Sequence, residues 1–403
     1  MDFRQRLKRG VGFLLLASFS LYFFTAISYG FGHGKYLWKI VLPISLIALL
    51  LLWKEYKWKA LIKECEPWFP LLFSSLVIFA VYGTWPAGRS LEAVGITLLA
   101  ITILSQLKLI SLRYFYWVNA LTCVLLFSSG LIDVLVLGKH VPGETINQNI
   151  FAGVAVTVSG FSLISSFDRS INLRSFERKF FACAGILALA ITIATQCRTV
   201  LLPIALLLLL VWNGSVKSLG KGSAIALIAL SLSFLSIVIY FNPGLVVKLY
   251  KIIPEISEWL SSNNVAQSSI GIRLEMYSFA LTEVFPSHPF IGLGISDGSS
   301  VAAMFGDVRI NEEFVRHWAH FHNDAIQMLV SGGLLQCVAA ISTCFLLWRR
   351  SGKNVLILWL LACGILFGLT EIFFFRRNTF VCFLTLYYVT LFGTRFNEVN
   401  AKQ

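Results

Sequence analysis

The stretch ILALAITIATQCRTVLLPIALLLLLVW, residues 186–212, decides how the chain is read. It is two almost unbroken apolar runs joined at Arg198. A surface helix of a soluble domain needs a polar face recurring with the helical period, and these runs have none; they fit two membrane-crossing helices meeting at a polar turn. The rest of the chain has the same character. Of its 403 residues, 57% are hydrophobic and only 13% charged, with a mean hydropathy of +0.78. Water-facing domains carry about 25% charged residues, so an ordinary soluble enzyme is excluded. Disorder is excluded too, because it requires low hydrophobicity and high charge.

A spanning helix takes about 20 largely apolar residues. Working outward from 186–212, twelve candidates emerge: 11–29, 37–53, 67–85, 91–107, 115–138, 149–166, 180–196, 198–212, 223–241, 323–347, 354–375 and 379–393. The expected fold is an all-α polytopic integral membrane protein of about twelve transmembrane helices. Its first run lacks a small-residue cleavage site and is followed by further spans, so it is expected to be an anchor. The formal net charge of +13 does not mark a nucleic-acid binder, because the basic residues form scattered loop clusters without a continuous stripe. With the N-terminus inside, 21 of the 33 Lys and Arg fall in inner segments, 7 in short outer connections and 5 in one long outer loop. Positive residues accumulate on the cytoplasmic side, so both termini are expected there. The eight cysteines lie singly, with no Cys-x-x-Cys spacing, and read as small apolar packing residues.

The long outer loop, 242–322, separates spans 1–9 (1–241) from spans 10–12 and a cytoplasmic tail (323–403), and a connection of that length is expected to carry function. Within it, LVVKLYKIIPEISEWL (245–260) alternates apolar and charged positions as a helix lying in the membrane interface would. SSIGIRLEMYSFALTEVF (268–285) predicts a second helix over 271–285, with Ser268 and Ser269 as caps and Arg273 in its first turn.

A few polar residues stand where the pattern does not explain them. A charge inside a span costs about 2.5–3.5 kcal/mol even on lenient scales, so Arg198 either snorkels to the interface or faces a partner or anionic ligand. Arg376 and Arg377, with Glu371 one to two turns earlier, repeat the oddity; Glu371 either pairs with Arg198, orients a histidine or forms an internal ion pair. Three of the six histidines, His317, His320 and His322, fall at the entry to the tenth span. On a helix, 320 and 322 lie about 160° apart, which argues against a shared metal. A titrating histidine fits general-base chemistry, interface histidines being the plainer reading. Two guanidiniums suit a diphosphate and a nearby imidazole suits a base, so transfer from a lipid diphosphate is the chemistry these residue types suggest.

Three segments, TQCRTVLLP (195–203), SIGIRLEMY (269–277) followed by HPFIGLG, and HFHNDAIQMLVSGGLLQ (320–336), resemble motifs of the O-antigen ligase family. The last has His322, Asn323, nine residues and Gly333, but Gln336 stands where a small residue is usual. The resemblance implies a metal-independent, inverting glycosyltransferase of the bacterial inner membrane with no cofactor. It would move O-antigen glycan from undecaprenyl diphosphate to a sugar hydroxyl of lipid A-core, on the periplasmic face. By resemblance, Arg198 and Arg273 bind the diphosphate, His322 is the general base, and His320, Asn323, Glu371 and Arg377 are supporting candidates; the prenyl chain lies in an apolar groove open to membrane lipid. The nearest rivals are an O-antigen polymerase and a protein O-oligosaccharyltransferase, which share the donor. A lipid-linked glycan flippase or transporter is more distant, since it needs no base.

Overall fold

The structure is a computed structural model. It describes residues 3–27, 34–52, 56, 58–84, 88–107, 109, 112–143, 147–168, 171, 173–219, 236, 240, 243–261, 268–295, 300–301, 320–352, 354–374 and 377–401. All regular structure among these residues is helical. The first part comprises α1 (Phe3–Ile27), α2 (Gly34–Leu52), α3 (Trp58–Cys65), α4 (Phe69–Tyr82), α5 (Gly88–Gln106), α6 (Leu112–Leu135), α7 (Gln148–Phe167), α8 (Ser175–Ala194) and α9 (Leu201–Leu219). Three short helices follow, α10 (Pro243–Tyr250), α11 (Ile252–Ser261) and α12 (Ser269–Phe279), then α13 (Asp324–Arg350), α14 (Val355–Gly368) and α15 (Arg377–Ala401).

Among the described residues, four helices are long and apolar enough to cross a membrane: Leu61–Tyr82, Arg113–Leu135, Gln148–Phe167 and Asp324–Arg350. Shorter apolar helices cover Ile40–Leu52, Leu91–Gln106, Arg198–Asn213, Val355–Gly368 and Thr379–Phe392. The ninth predicted span, 223–241, lies almost wholly outside the described residues. Helix ends expected to share a face are joined in pairs. Arg113 Nε meets Glu177 at 2.7 Å, joining the starts of α6 and α8, and Arg350 meets Glu64 at 3.4 Å, joining the end of α13 to the end of α3.

The centre of the bundle is α7, whose apolar window is 94% buried. Its sequence explains this: small residues let neighbouring backbones approach, and hydroxyls bond across the contacts. Ser159 and Ser162 donate to the carbonyls of Gly185 and Phe181 on α8 at 2.8 and 2.9 Å. Asn119 of α6 donates to Val158 O at 3.0 Å, and Trp359 of α14 to Thr157 O at 3.1 Å. Gly153 and Gly160 seat the rings of Phe367 and Trp359 in space that a Cβ would fill.

The expected single tenth span is folded in two. Gly333 has φ 62 and ψ −158, and Cys337 Sγ lies 3.9 Å from Ala325 O. In a straight helix twelve residues advance about 18 Å, so the limb 324–332 turns back along the limb 334–350. The backbone groups freed at the break are met by the HPFIGLG loop. Leu293 N and Gly294 N donate to Val330 O and Ser331 O at 2.8 and 3.0 Å; Leu334 N and Leu335 N donate to Pro289 O and Phe290 O at 2.9 and 3.0 Å. Tyr82 and Thr84, at the end of α4, donate to Gly292 O and Gly294 O. A non-helical backbone at membrane depth requires this kind of coverage by protein. Gln336, which departs from the family pattern, is buried beside the fold, accepts from Ser331 Oγ at 3.0 Å and packs on Gly332.

Two other expectations change. The eleventh span, 354–375, ends as a helix at Gly368, leaving Glu371 on a non-helical connection. The interfacial helix over 245–260 is two helices, because Pro254 lacks an N–H and its ring excludes the carbonyl four residues back, at Tyr250. Its outward positions Val246, Tyr250, Ile253 and Leu260 are exposed. The predicted helix over 271–285 starts at Ser269, with Ser268 Oγ accepting from Gly271 N at 3.0 Å, and continues as a π-helical turn, Ala280–Val284.

Candidate functional site

The connection between α14 and α15 is held against the start of α13 by three consecutive residues with three different tasks. Asn323 caps α13, accepting from Ala325 N and Ile326 N at 2.8 and 3.1 Å, and donates to Leu369 O at 2.7 Å. Asp324 is buried and accepts from Phe373 N and Phe374 N at 3.0 and 3.1 Å. Gly368 leaves room for it, since a Cβ there would lie 2.5 Å from Asp324 Oδ2. His322 is thereby set opposite Glu371. Asn323 therefore positions the histidine through the backbone it caps.

Glu371 is the hub. Its carboxylate, 4% exposed, meets His322 Nδ1 at 3.0 and 3.1 Å, His320 Nε2 at 3.1 Å and Arg273 at 3.7 Å. It also accepts from Asn149 Nδ2 at 2.5 Å and Ile372 N at 3.1 Å. Burial alone would push this carboxyl up; the hydrogen bonds and charges of His320 and His322 outweigh it and hold the group well below the usual carboxylate range. The arrangement therefore favours its ionised form. Arg273 also donates to Thr370 O at 3.2 Å, so one side chain of α12 holds both the backbone just before Glu371 and the Glu371 carboxylate.

His322 has φ 52, a left-handed conformation that is uncommon outside glycine. Tyr277 Oη holds its carbonyl at 3.0 Å. Such strain persists where surrounding contacts over-determine it, and it concentrates at functional positions. With Nδ1 on the carboxylate, Nε2 is the outward nitrogen, on a side chain 29% exposed. A donor Nδ1–H fixes the tautomer in which Nε2 carries the lone pair, the form that accepts a proton.

His320 and His322 have ring centroids 4.2 Å apart. The expectation that they diverge assumed a helix. Residues 320–323 are not helical but bend at 320, 322 and 323, so the helical angle between the two rings does not apply. His320, His322 and Glu371 offer donor atoms within 4.8 Å of one another, a set that could hold a metal ion. Arg273 bears on the same carboxylate, however, and a cation there would face a fixed positive charge.

Arg198 is not paired with Glu371. Its guanidinium meets Glu255 of α11 at 3.3 and 3.5 Å, and Glu255 also accepts from Ile270 N at 3.3 Å, in the first turn of α12. The turn that carries Arg198 nevertheless reaches the hub, because Cys197 Sγ donates to Asn149 Oδ1 at 2.9 Å. Arg377 begins α15, but its side chain, with His317 and Arg376, lies outside what is described. The sequence reading missed Asn149, Glu255 and the pinning role of Asp324. Tyr277 was visible only as part of a motif.

Residues 183–335 match the family model described as O-Antigen ligase. The chain carries an O-antigen ligase family domain. No curated protein matches it. The O-antigen ligase segment contains Arg198, Arg273, His320, His322 and Asn323, whereas Asn149 and Glu371 lie on either side of it. The matched segment and the apolar helices together point to a membrane protein that carries a segment similar to a family of glycosyltransferase-like membrane enzymes.

Proposed function

We propose that the protein is an O-antigen ligase, transferring O-antigen glycan from undecaprenyl diphosphate to a sugar hydroxyl of lipid A-core at the periplasmic face of the bacterial inner membrane. The observation that carries this is His322, held through Nδ1 by the buried Glu371 beside Arg273. In this reading His322 Nε2 takes the proton of the acceptor hydroxyl as its oxygen bonds to the anomeric carbon. The bond from that carbon to the diphosphate breaks on the opposite face, inverting the configuration. Undecaprenyl diphosphate leaves with its negative charge met by Arg273 and Arg198, and Glu371 stabilises the imidazolium that forms. No metal has a step.

A cavity of about 310 Å³ supports a lipid donor. Its lining takes Asp324 and Leu369 beside the site, Met328, Ile341 and Leu347 from the two limbs of α13, and Phe374. Its apolar wall suits a prenyl chain whose head reaches the histidine. An O-antigen polymerase or a protein O-oligosaccharyltransferase would use the same donor and base with a different acceptor.

The test is transfer by the purified protein with a lipid-diphosphate glycan and three acceptors, lipid A-core, a glycan repeat and a pilin-like protein, in EDTA. Product on lipid A-core, lost in His322→Ala and Arg273→Ala at unchanged thermal stability, is the expected result. Activity retained in both variants overturns the roles, and product on another acceptor overturns the ligase assignment. Glycan translocation in sealed vesicles without transfer would favour a transporter.

A further inference from the structure

Asn149 is a residue at the hub that neither the motifs nor the family match includes. It stands in the first turn of α7, the most deeply buried of the spanning helices, where the Asn147 side chain accepts from Asn149 N and Ile150 N at 3.0 and 3.3 Å. Its side chain therefore projects from a rigid support. Both ends of its amide are used. Nδ2 donates to Glu371 Oε2 at 2.5 Å, and Oδ1 accepts from Cys197 Sγ at 2.9 Å. The chemistry fixes the orientation: an ionised carboxylate only accepts, and the thiol, which burial pushes up and so keeps protonated, donates. Cys197 is fixed in turn by Thr199 Oγ1 at 2.7 Å and Thr195 Oγ1 at 3.3 Å.

Asn149 thus joins three segments far apart in sequence: the start of α7, the Thr195–Val200 turn that bears Arg198, and the connection that bears Glu371. We infer that Asn149 is a positioning residue that aims the Glu371 carboxylate at His322 and keeps it in register with the Arg198 turn. This rests on the transferase reading above. The ionisable groups facing Glu371 are His320 and His322 from the α13 approach, Arg273 from α12 and Cys197 from the α8–α9 turn. Each carboxylate oxygen already has cationic or donor partners. A leucine at 149 fills similar space with no hydrogen bond, so the carboxylate loses its side-chain amide donor and its tie to the Cys197 thiol. An aspartate keeps an acceptor for Cys197 but sets a second anion against Glu371.

The experiment uses the full-length protein in detergent with Asn149→Leu, Asn149→Asp and Cys197→Ser. Asn149→Leu is expected to lower kcat by 10- to 100-fold with donor KM changed less than about threefold, the scale of a misplacement near 1 Å. Cys197→Ser, which keeps a donor, is expected to retain kcat within a few fold. Asn149→Asp is expected to move the acid limb of the kcat–pH profile upward by about one pH unit, because an added anion favours charged imidazole. The same shift is expected in the pH midpoint for carbethoxylation of His322, read by mass spectrometry, which needs no turnover. A purely structural role would lower the melting temperature and leave the KM–kcat split, the acid limb and the modification midpoint where they are; that result overturns the inference. Inactive wild-type protein with the midpoint still shifted would instead overturn the transferase reading and leave the positioning role standing.

Discussion

Replacing Gly333 by alanine tests whether the fold-back of α13 is a built feature. At φ 62 and ψ −158 the residue occupies a region open essentially to glycine alone, which costs another residue about 1–3 kcal/mol. The added methyl would also lie 2.5 Å from Phe290 C and 2.6 Å from Ile291 N, both backbone atoms that cannot swing aside. The HPFIGLG loop must retreat, and with it go the bonds from Leu334 N and Leu335 N, each about 0.5–1.5 kcal/mol net. The sum is roughly 2–6 kcal/mol. Gly95→Ala in α5 is the control, since nothing lies within 4 Å of its Cβ and helix propensity there favours alanine. Thermal unfolding in detergent should show Gly333→Ala melting several degrees below wild type and Gly95→Ala at or slightly above it. Limited proteolysis should then cut the variant within residues 285–295. Equal melting of the two variants, with the loop still protected, would refute the fold-back as described.

Other outcomes follow from the same geometry. Glu371→Gln should reduce kcat by about 10²- to 10⁴-fold, as when a histidine loses its carboxylate partner. Its sign with pH is also set: Glu371 is held low, so its charge is present above the ordinary carboxylate range and is lost only well below it. Glu371→Gln should therefore lower kcat without adding or removing a limb in the neutral range of the kcat–pH profile. Glu255→Gln should free Arg198 and tighten binding of inorganic pyrophosphate, measured by calorimetry, whereas Arg198→Ala should weaken it; equal affinity in all three proteins would exclude Arg198 as an anion site. Glu64→Ala strips Arg350 of its buried partner at the far end of α13, and should destabilise the protein by about 3–5 kcal/mol while leaving kcat unchanged.

How far the sequence disclosed this depends on the range of the interaction. Hydropathy identified the apolar helices because lipid exposure and burial act on each segment alone. Ser268 was legible as a cap because its partner is three residues away. Glu371 was legible as a histidine partner because a lone carboxylate near the end of an apolar run demands an explanation. Its alternative pairing with Arg198 was wrong, since hydropathy carries no term for Glu255 reaching across from α11. The fold-back was hidden for a related reason. Leu329, Val330 and Leu334 keep the apolar pattern through the break, and only Gly332 and Gly333 hint that a loop forty residues earlier must enter. The helical angle between 320 and 322 failed because the capped start of α13 comes after both. Asn149 is 222 positions from Glu371, and nothing in its local sequence marks the partnership.

The grooves in α7 bear on how the chain assembles. Gly153 and Gly160 form notches filled by Phe367 and Trp359, side chains synthesised some two hundred residues after α7 enters the bilayer. Its partners on α8 arrive almost at once, but that face must stay open to lipid, or be shielded by the insertion machinery, until α14 emerges. A chain stalled before residue 355 would present a slot already shaped for a missing helix. The segment from residue 355 onward then acts as a key supplied late, and the same arrival carries Glu371 to the histidine, so closure of the bundle and completion of the site are one event.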